Sequence, residues 1–119
     1  MIRGFVNDND EPILPITLIL KRNPQKFKAV LDTGFNGYLS VPQTLVRESD
    51  WYFAGYEEYE IATGERVREQ VYLCRIIFDR APLESHAVAS SANDILIGTK
   101  LLSNKILLVD FKKRTVRIE

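Results

Sequence analysis

The chain has 119 residues, 45% of them hydrophobic, which is enough to bury one core of ordinary size but too few for two domains of typical length. We therefore predict a single domain over residues 1–119. The 16 basic and 16 acidic residues balance, so no net field favours nucleic acid or an anionic membrane surface, and we expect neither as a partner.

Short runs of aliphatic and aromatic residues alternate with turn formers along the whole chain, a pattern typical of a small all-β domain. It predicts ten strands, at residues 2–6, 13–20, 26–31, 38–41, 56–62, 66–78, 86–89, 95–97, 106–110 and 115–118. Turns are predicted at residues 7–10, 22–24, 63–65, 80–82 and 90–94. Two short helices are predicted, at residues 42–47 and 98–102.

The most specific signal for chemistry lies at residues 29–39. An apolar strand runs into Asp32, Thr33 and Gly34, and a second glycine, Gly37, precedes the next apolar strand. A tight turn at this point would leave the Asp32 carboxylate partly desolvated. Asp, Thr and Gly are also common in solvated turns, and the triplet is expected by chance in roughly a few per cent of chains of this length. Alone, the triplet is weak evidence for a site.

Two further elements follow the triplet. About sixty residues further along, Leu96 and Ile97 form a short apolar strand that ends at Gly98, directly before the second predicted helix. Between these elements, residues 59–67 have the pattern of a strand, a turn and a strand, with Gly64 at the tip. The order of all three elements is much less expected by chance than the triplet alone.

Together these residues resemble the retropepsin-like aspartic proteases, the single-domain family that includes the retroviral enzymes, and in particular its bacterial stand-alone members. The family has an apolar-apolar-Asp-Thr/Ser-Gly segment, then a hairpin called the flap, then an apolar-apolar-Gly segment before a short helix. The match covers residues 27–102. It implies an all-β fold, a small closed barrel of the acid-protease type with a flap hairpin and one or two short helices.

The resemblance implies an aspartic endopeptidase that acts on peptides or proteins and needs no metal or other cofactor. In this chemistry two carboxylates share one proton and hold the attacking water between them. The Asp-Thr-Gly triplet occurs once in the chain. The second carboxylate would therefore be Asp32 of a partner in a symmetric homodimer, and the monomer would be inactive.

The resemblance also implies a role for each residue of the motifs. Asp32 would be catalytic, Thr33 would hydrogen-bond across the dimer axis, and Gly34 would offer its carbonyl group to the substrate. Asn36 would face the substrate backbone. The flap residues that contact substrate would be Ala62, Thr63, Gly64 and Glu65, and the residues that support the active site would be Leu96, Ile97 and Gly98.

The chain departs from the family pattern at three places. Phe35 stands where relatives carry a small residue, or a Ser or Thr that hydrogen-bonds the carboxylate. Asn36 and Thr99 stand where retroviral members commonly pair an acid with an arginine, so any link between them would be an uncharged hydrogen bond. Residues 103–119 are longer than the terminal strand that retroviral subunits interleave, which allows a different dimer contact.

Two other functions fit the same sequence. One is a non-proteolytic dimer on this fold that binds or scaffolds peptides, an alternative supported by Phe35 and the neutral pair. The other is a small β-barrel binding module that carries the triplet by chance, and this alternative predicts a monomer.

The remaining chemically interesting residues have structural interpretations. His86 is predicted to lie in a strand and Cys74 to be a buried strand residue, so neither is expected to serve in nucleophilic catalysis. We expect turn or capping roles for Asp79, Asp94 and Asp110. Four aromatic residues are expected to pack beneath the flap: Trp51, Tyr52, Phe53 and Tyr56.

The cellular compartment is predicted from cysteine usage and the N-terminal residues. Cys74 is the only cysteine, so no disulfide can form within the chain. Residues 1–8 lack the apolar stretch of a signal peptide. Both observations predict the cytoplasm.

Overall fold

The computed structural model describes residues 1–119, and most of them lie in ten β-strands. The strands are β1 (Ile2–Val6), β2 (Pro12–Leu20), β3 (Asn23–Leu31), β4 (Leu39–Pro42), β5 (Tyr52–Glu60), β6 (Arg66–Phe78), β7 (Ala81–Ser90), β8 (Leu96–Ile97), β9 (Leu107–Asp110) and β10 (Thr115–Ile118). One α-helix, α1 (Gln43–Glu48), follows β4, and one 3-10 helix (Thr99–Leu102) follows β8. Both predicted helices are confirmed, each beginning one residue later than predicted.

Period-two burial explains why the apolar runs form strands. In β2 the side chains of Leu14, Ile16, Leu18 and Leu20 all face the core, while Pro15 between them is exposed. Side chains two residues apart lie on the same face of a strand, so these four residues form one continuous apolar row. The predicted all-β class follows from this pattern and is confirmed.

Six of the strands close into a barrel. They are hydrogen-bonded in the order β6-β7-β4-β8-β3-β2, and β2 pairs back onto β6 through Thr17↔Ile77 and Leu18↔Ile76. Closure removes the sheet edges of these strands and encloses the core. The largest fully buried side chains are those of Leu14, Ile16, Leu18, Leu39, Ile76, Ile97, Ile118, Val41, Val116 and Cys74.

The sheet extends beyond the barrel on both sides. On one side, β5 continues from β6 as a long hairpin, and we use "long hairpin" for β5, β6 and the turn between them. On the other side, the order β2-β1-β10-β9 forms what we call the terminal sheet, in which Ile2 pairs with Ile118 and Ile118 with Leu107. The two sheet ends are therefore β5 and β9.

Two predicted turns are displaced by one residue. The turns expected at 22–24 and 80–82 instead centre on Lys21–Arg22 and Asp79–Arg80, and all four residues have positive φ, between 46° and 70°. Successive residues with positive φ match the twist of a tight two-residue hairpin, here without any glycine. The two prolines that suggested turns lie inside strands, Pro24 opposite Ile19 and Pro82 opposite Ile77.

The expected packing of the aromatic cluster is wrong for three of its four members. Tyr52, Phe53 and Tyr56 are 71%, 43% and 53% exposed on β5, a strand that begins earlier than predicted. Phe53 packs edge-on against Tyr56 and Tyr72, with ring centroids 5.3 and 5.5 Å away. Only Trp51 packs inward, and its Nε1 donates to the Ile19 carbonyl over 2.9 Å. An exposed hairpin leaves no apolar layer beneath which the others could be buried.

Neither helix of the chain has the length and apolar character needed to cross a membrane.

Candidate active site

Asp32 emerges directly from the barrel. It follows the last residue of β3, which pairs in parallel with β8 through Leu31↔Ile97. Its amide donates to the Ile97 carbonyl over 3.0 Å, and the amide of Val30 donates to Ile95 over 2.8 Å. The backbone before Asp32 is thus fixed by a buried strand pair, while Asp32 itself is only half-buried.

The Asp-Thr-Gly triplet forms a turn that orients the carboxylate. The Phe35 amide donates to the Asp32 carbonyl over 3.1 Å, which closes the turn. Inside it, the Gly34 amide donates to Asp32 Oδ1 over 2.9 Å. Only one carboxylate oxygen is engaged, so Oδ2 is left for a second partner. Thr33 and Gly34 are exposed on the surface of the molecule.

The second predicted element lies against this turn. Three successive amides, those of Gly98, Thr99 and Lys100, donate to the carbonyls of Tyr38, Phe35 and Gly37 at 2.9, 2.9 and 3.1 Å, respectively. A Cβ atom on Gly98 would lie 2.1 Å from the Gly37 carbonyl oxygen. Only glycine permits this approach. The structure therefore brings Leu96, Ile97 and Gly98 beside Asp32. The two segments are sixty-odd residues apart in the chain.

Phe35 fills space that two glycines leave open. A Cβ atom on Gly37 would lie 2.6 Å from the Phe35 Cζ atom, and one on Gly98 would lie 2.8 Å from its Cδ2 atom. The ring is half-buried between these two segments. The Thr99 hydroxyl is 3.4 Å from the Phe35 carbonyl oxygen, to which it donates. The neutral pair therefore forms no mutual bond, because Thr99 binds the backbone of Phe35 while Asn36 is exposed.

A cavity of about 460 Å³ opens between residues 32–38, which we call the Asp32 loop, and the base of the long hairpin. Phe35, Tyr38 and Tyr56 form part of its wall together with aliphatic side chains and glycines, and charged groups of both signs border it. Its aromatic, charged and imidazole side chains are those of Phe35, Tyr38, Tyr56, Glu57, His86 and Lys100. Tyr38 and His86 lie 5.8 Å apart between ring centroids, and the Lys100 Nζ atom is 5.6 Å from the Tyr38 ring. The cavity is large enough for one side chain of a ligand, and Phe35, three residues after Asp32, lines it.

Sequence reasoning did not assign Tyr38, Tyr56, His86 or Lys100 to a site. Tyr56 and His86 lie on strands and Lys100 lies on the 3-10 helix, all remote from the triplet in sequence. An exposed position on such an element carries no signal of a site. Tyr38 lies four residues after Gly34, and this proximity was the one signal that could have identified it.

The tip of the long hairpin has the expected turn, but none of its residues lines the cavity. Gly64 has φ of 86°, and its amide donates to the Ile61 carbonyl over 2.9 Å. The four predicted flap residues, Ala62, Thr63, Gly64 and Glu65, are exposed. Ala54, Gly55, Tyr56 and Glu57 at the hairpin base border the cavity instead.

Cross-strand contacts stiffen the hairpin between base and tip. The Tyr59 hydroxyl donates to Glu69 over 2.6 Å, and this bond raises the pKa of Tyr59 to about 12. The Arg68 guanidinium lies 3.8 Å from the centroid of the Tyr56 ring, close enough for a cation–π contact.

Cys74 has no means of acting as a nucleophile. It is 1% exposed, and burial raises the pKa of its thiol to about 12. Its Sγ lies 3.4 Å from the Ser85 carbonyl. His86 lies on β7, as predicted, and borders the cavity described above. Asp110 caps a turn, as expected, because its Oδ1 accepts the amides of Lys112 and Lys113. These observations leave Asp32 as the candidate with a chemical role.

The closed barrel, the turn at Asp32 and the packing of Gly98 against that turn together define an acid-protease type of fold. Comparisons with models of protein families and with curated protein sequences find no match. Solved structures do match. A retropepsin-like aspartic protease from Rickettsia conorii aligns over 96% of this chain and 86% of its own, with a TM-score of 0.64 and 12% identity.

Two viral structures align with the chain as well. The protease of simian foamy virus (mac) covers 78% of this chain and 99% of its own, with a TM-score of 0.54 and 22% identity. The foamy viral protease-reverse transcriptase, solved with an RNA/DNA hybrid, matches 74% of this chain with a TM-score of 0.56 and 16% identity. This chain spans only 11% of that longer protein. The chain thus has the fold of the retropepsin-like aspartic proteases, which confirms the predicted resemblance.

Proposed function

We propose that this protein is an aspartic endopeptidase that acts as a homodimer. The observation that carries the proposal is the half-buried Asp32 carboxylate, oriented by the Gly34 amide at the end of a buried strand. The acid-protease fold supports it. The chain holds one such triplet, and the chemistry needs two carboxylates, so the second is Asp32 of an identical partner.

In the proposed reaction the two Asp32 carboxylates share one proton and hold a water molecule between them. The ionised carboxylate removes a proton from the water, and the resulting hydroxide attacks the scissile carbonyl carbon. The protonated carboxyl gives its proton to the carbonyl oxygen, which yields a tetrahedral diol. When the C–N bond breaks, the electron pair remains on the amine nitrogen, which takes the proton held by the first carboxyl group. One hydroxyl of the diol returns its proton to the second carboxylate as the product carboxyl group forms, which restores the shared proton.

The other residues of the loop position the reactants. Thr33 and Gly34 are exposed, which supports contacts with the partner's loop for Thr33 and with substrate backbone for the Gly34 carbonyl. Asn36 is likewise exposed and is assigned to the substrate backbone. The long hairpin acts as the flap, and its tip, Ala62, Thr63, Gly64 and Glu65, closes over an extended peptide that pairs like an added strand.

The cavity beside Phe35 is assigned to one side chain of the peptide. The aromatic and aliphatic side chains in its wall favour an apolar or aromatic residue, since such a side chain loses unfavourable contact with water on entry. Lys100 and Glu57 border the cavity, so a polar group at the end of the ligand's side chain could pair with either of them.

The decisive experiment compares the wild type with Asp32→Asn for cleavage of denatured proteins between pH 4 and 7. The substitution keeps the shape of the side chain but removes the acid. We expect cleavage by the wild type, inhibition by a pepstatin-type compound, and a loss of at least about 1000-fold in Asp32→Asn.

The same experiment separates the proposal from a non-proteolytic dimer on this fold. Phe35 supports that second candidate, because it occupies the position of a hydroxyl residue that would hydrogen-bond the carboxylate. Equal and negligible cleavage by both proteins, combined with peptide binding by both, would establish the binding function instead.

A further inference from the structure

The ten-stranded sheet has two free edges, and β5 is protected against pairing. Its register shifts between Phe53 and Gly55, which marks a bulge. Three glutamates, Glu57, Glu58 and Glu60, also lie along it. Bulges and charged side chains are the means by which edge strands avoid association with other chains.

The other edge strand, β9, has neither a bulge nor a charged side chain along its apolar part. It reads Leu107, Leu108, Val109 and Asp110, without a bulge, a lysine or a proline. Leu108 is 42% exposed, and the flanking residues Ile106 and Phe111 are 59% and 57% exposed. An exposed apolar edge of this kind is a template for another strand.

The backbone groups that face this free edge can be identified. Ile106 and Glu119, which flank β9 and β10, exchange two hydrogen bonds of 2.9 Å. They are therefore a hydrogen-bonded pair of the antiparallel ladder between these strands. In an antiparallel ladder such pairs alternate, which directs Leu108 and Asp110 toward β10 as well. The amides and carbonyls of Leu107 and Val109 therefore point away from β10, in the plane of the sheet, toward its free edge.

We propose that this edge docks a second copy of the chain, with β9 paired to its own copy about a two-fold axis at Leu108. The inference rests on the proposed homodimer and specifies where its subunits meet. A strand related to itself by a two-fold axis perpendicular to the sheet can pair only in the antiparallel sense.

The register follows from which backbone groups are free. Centred on Leu108, the pairing joins Leu107 of each copy to Val109 of the other and satisfies all four outward groups of each strand. A centre at Leu107 would need the Lys105 amide, which already donates to Leu102 over 3.0 Å. A centre at Val109 would need Phe111, which lies in the turn after β9.

The side chains agree with this register. Leu107 and Val109 are half-buried and pack against the core, so their mutual pairing extends the inner apolar layer across the axis. On the outer face, Leu108 meets its own copy. Aliphatic pairs of this kind stabilise antiparallel strands.

The proposed contact differs from an interleaving of terminal strands. β1 and β10 already pair within one chain, from Ile2↔Ile118 to Phe5↔Thr115, so neither end is free for exchange. The interface is also linked to the site, since four residues, 103–106, connect β9 to the 3-10 helix whose amides hold the Asp32 loop.

Leu108→Cys provides the first test. Leu108 would form a non-hydrogen-bonded pair with its copy, where Cα atoms lie about 4.5 Å apart, within the range for a disulfide. We expect mild oxidation to convert most of the protein to a disulfide dimer that still cleaves peptides. Tyr52→Cys, on the protected edge, should remain monomeric on a non-reducing gel, as should the wild type with its buried Cys74. No disulfide dimer in Leu108→Cys would overturn the proposed register.

Leu108→Lys tests the same edge without a covalent cross-link. The side chain is exposed in the single subunit, so the variant should fold, which circular dichroism verifies. Two lysines facing each other at the axis should raise the dimer dissociation constant at least tenfold, while Tyr52→Lys should leave it unchanged. If Leu108→Lys dimerises as tightly as the wild type, the proposed interface is wrong, but the proposed endopeptidase activity is not affected. Loss of cleavage in Asp32→Asn is measured separately and tests only the proposed chemistry.

Discussion

Gly98 lies where the 3-10 helix meets the Asp32 loop, and no space exists there for a side chain. A Cβ atom would lie 2.1 Å from one carbonyl oxygen and 2.8 Å from the carbonyl carbon of the same residue, Gly37. Relief would require the loop to move away from the strand that supports it. At Gly64, by contrast, a Cβ atom would meet only the Glu60 carboxylate, at 3.8 Å, although φ is 86°.

This contrast gives the first prediction. Gly98→Ala should lower the free energy of unfolding by about 3 kcal/mol or more, because backbone atoms must shift. Gly64→Ala should cost only about 1 kcal/mol, the strain of a left-handed alanine. Urea unfolding followed by circular dichroism measures both. Similar losses in the two variants would show that the crossing at Gly98 is not the tight contact described.

Cys74 gives a prediction about alkaline pH. Burial raises the pKa of its thiol from 9.0 to about 12. Above pH 9 the thiol of the unfolded chain ionises while that of the folded chain must keep its proton, so ionisation favours unfolding. Stability linked to Cys74 is therefore complete below pH 9 and falls by about 1.4 kcal/mol per pH unit between pH 9 and 12.

The comparison of wild type with Cys74→Ala isolates this effect from other titrations. Between pH 8 and 10.5 the wild type should lose about 2 kcal/mol more stability than the variant, measured from urea midpoints. Alkylation by iodoacetamide should also be slow until the protein unfolds. Parallel pH profiles for the two proteins would exclude a buried, protonated thiol.

At the scale of elements, alternation in the sequence predicted the strands well where one face is buried. In β6, Cys74, Ile76 and Phe78 face the core in turn, so the period of two was visible. It failed at β5, whose nine residues are exposed or half-exposed, because no core imposes an alternation there. Pro82 misled for another reason. Proline is common in turns and therefore predicts one at this position, whereas the tight turn forms at Asp79 and Arg80, both of which have positive φ.

The exposed half of the long hairpin gives a prediction about mobility. Amides at residues 60–66 should exchange with deuterium much faster than those of 74–78. The former lie outside the barrel, whereas the latter pair with β7 and, at Ile76 and Ile77, with β2 as well. A pepstatin-type inhibitor should slow exchange at the hairpin tip if the hairpin closes over ligand. Inhibition of cleavage without any slowing at 60–66 would contradict the flap role. Slowing at 74–78 alone would indicate global stabilisation instead.

At the scale of the whole molecule, the sequence predicted that the Gly98 segment lies beside Asp32 but not what fills the space between the two segments. Asp32 and Gly98 were paired because their motifs are local and ordered along the chain. The insertion of the Phe35 ring between Gly37 and Gly98 depends on atomic contacts across sixty-odd residues, which no local pattern encodes. The unprotected β9 edge likewise became visible only when the strand order was known.

Subunit mixing tests whether one active site needs two chains. Asp32→Asn should fold and exchange subunits with the wild type, so each mixed pair holds one functional carboxylate and is inactive. Added in equal amount, it should reduce wild-type cleavage to about one half, and in tenfold excess to about a tenth, as random pairing requires.

The matched control for mixing carries both Asp32→Asn and Leu108→Lys. Each mixed pair would carry one lysine against Leu108 at the axis, which weakens its pairing with the wild type, so the same excess should reduce wild-type cleavage less than Asp32→Asn alone does. Cleavage that persists in a tenfold excess of Asp32→Asn, after time for subunit exchange, would mean that one chain suffices for catalysis. In that case Asp32 would need a second acid from within its own chain, and the half-site interpretation of the single triplet would be wrong.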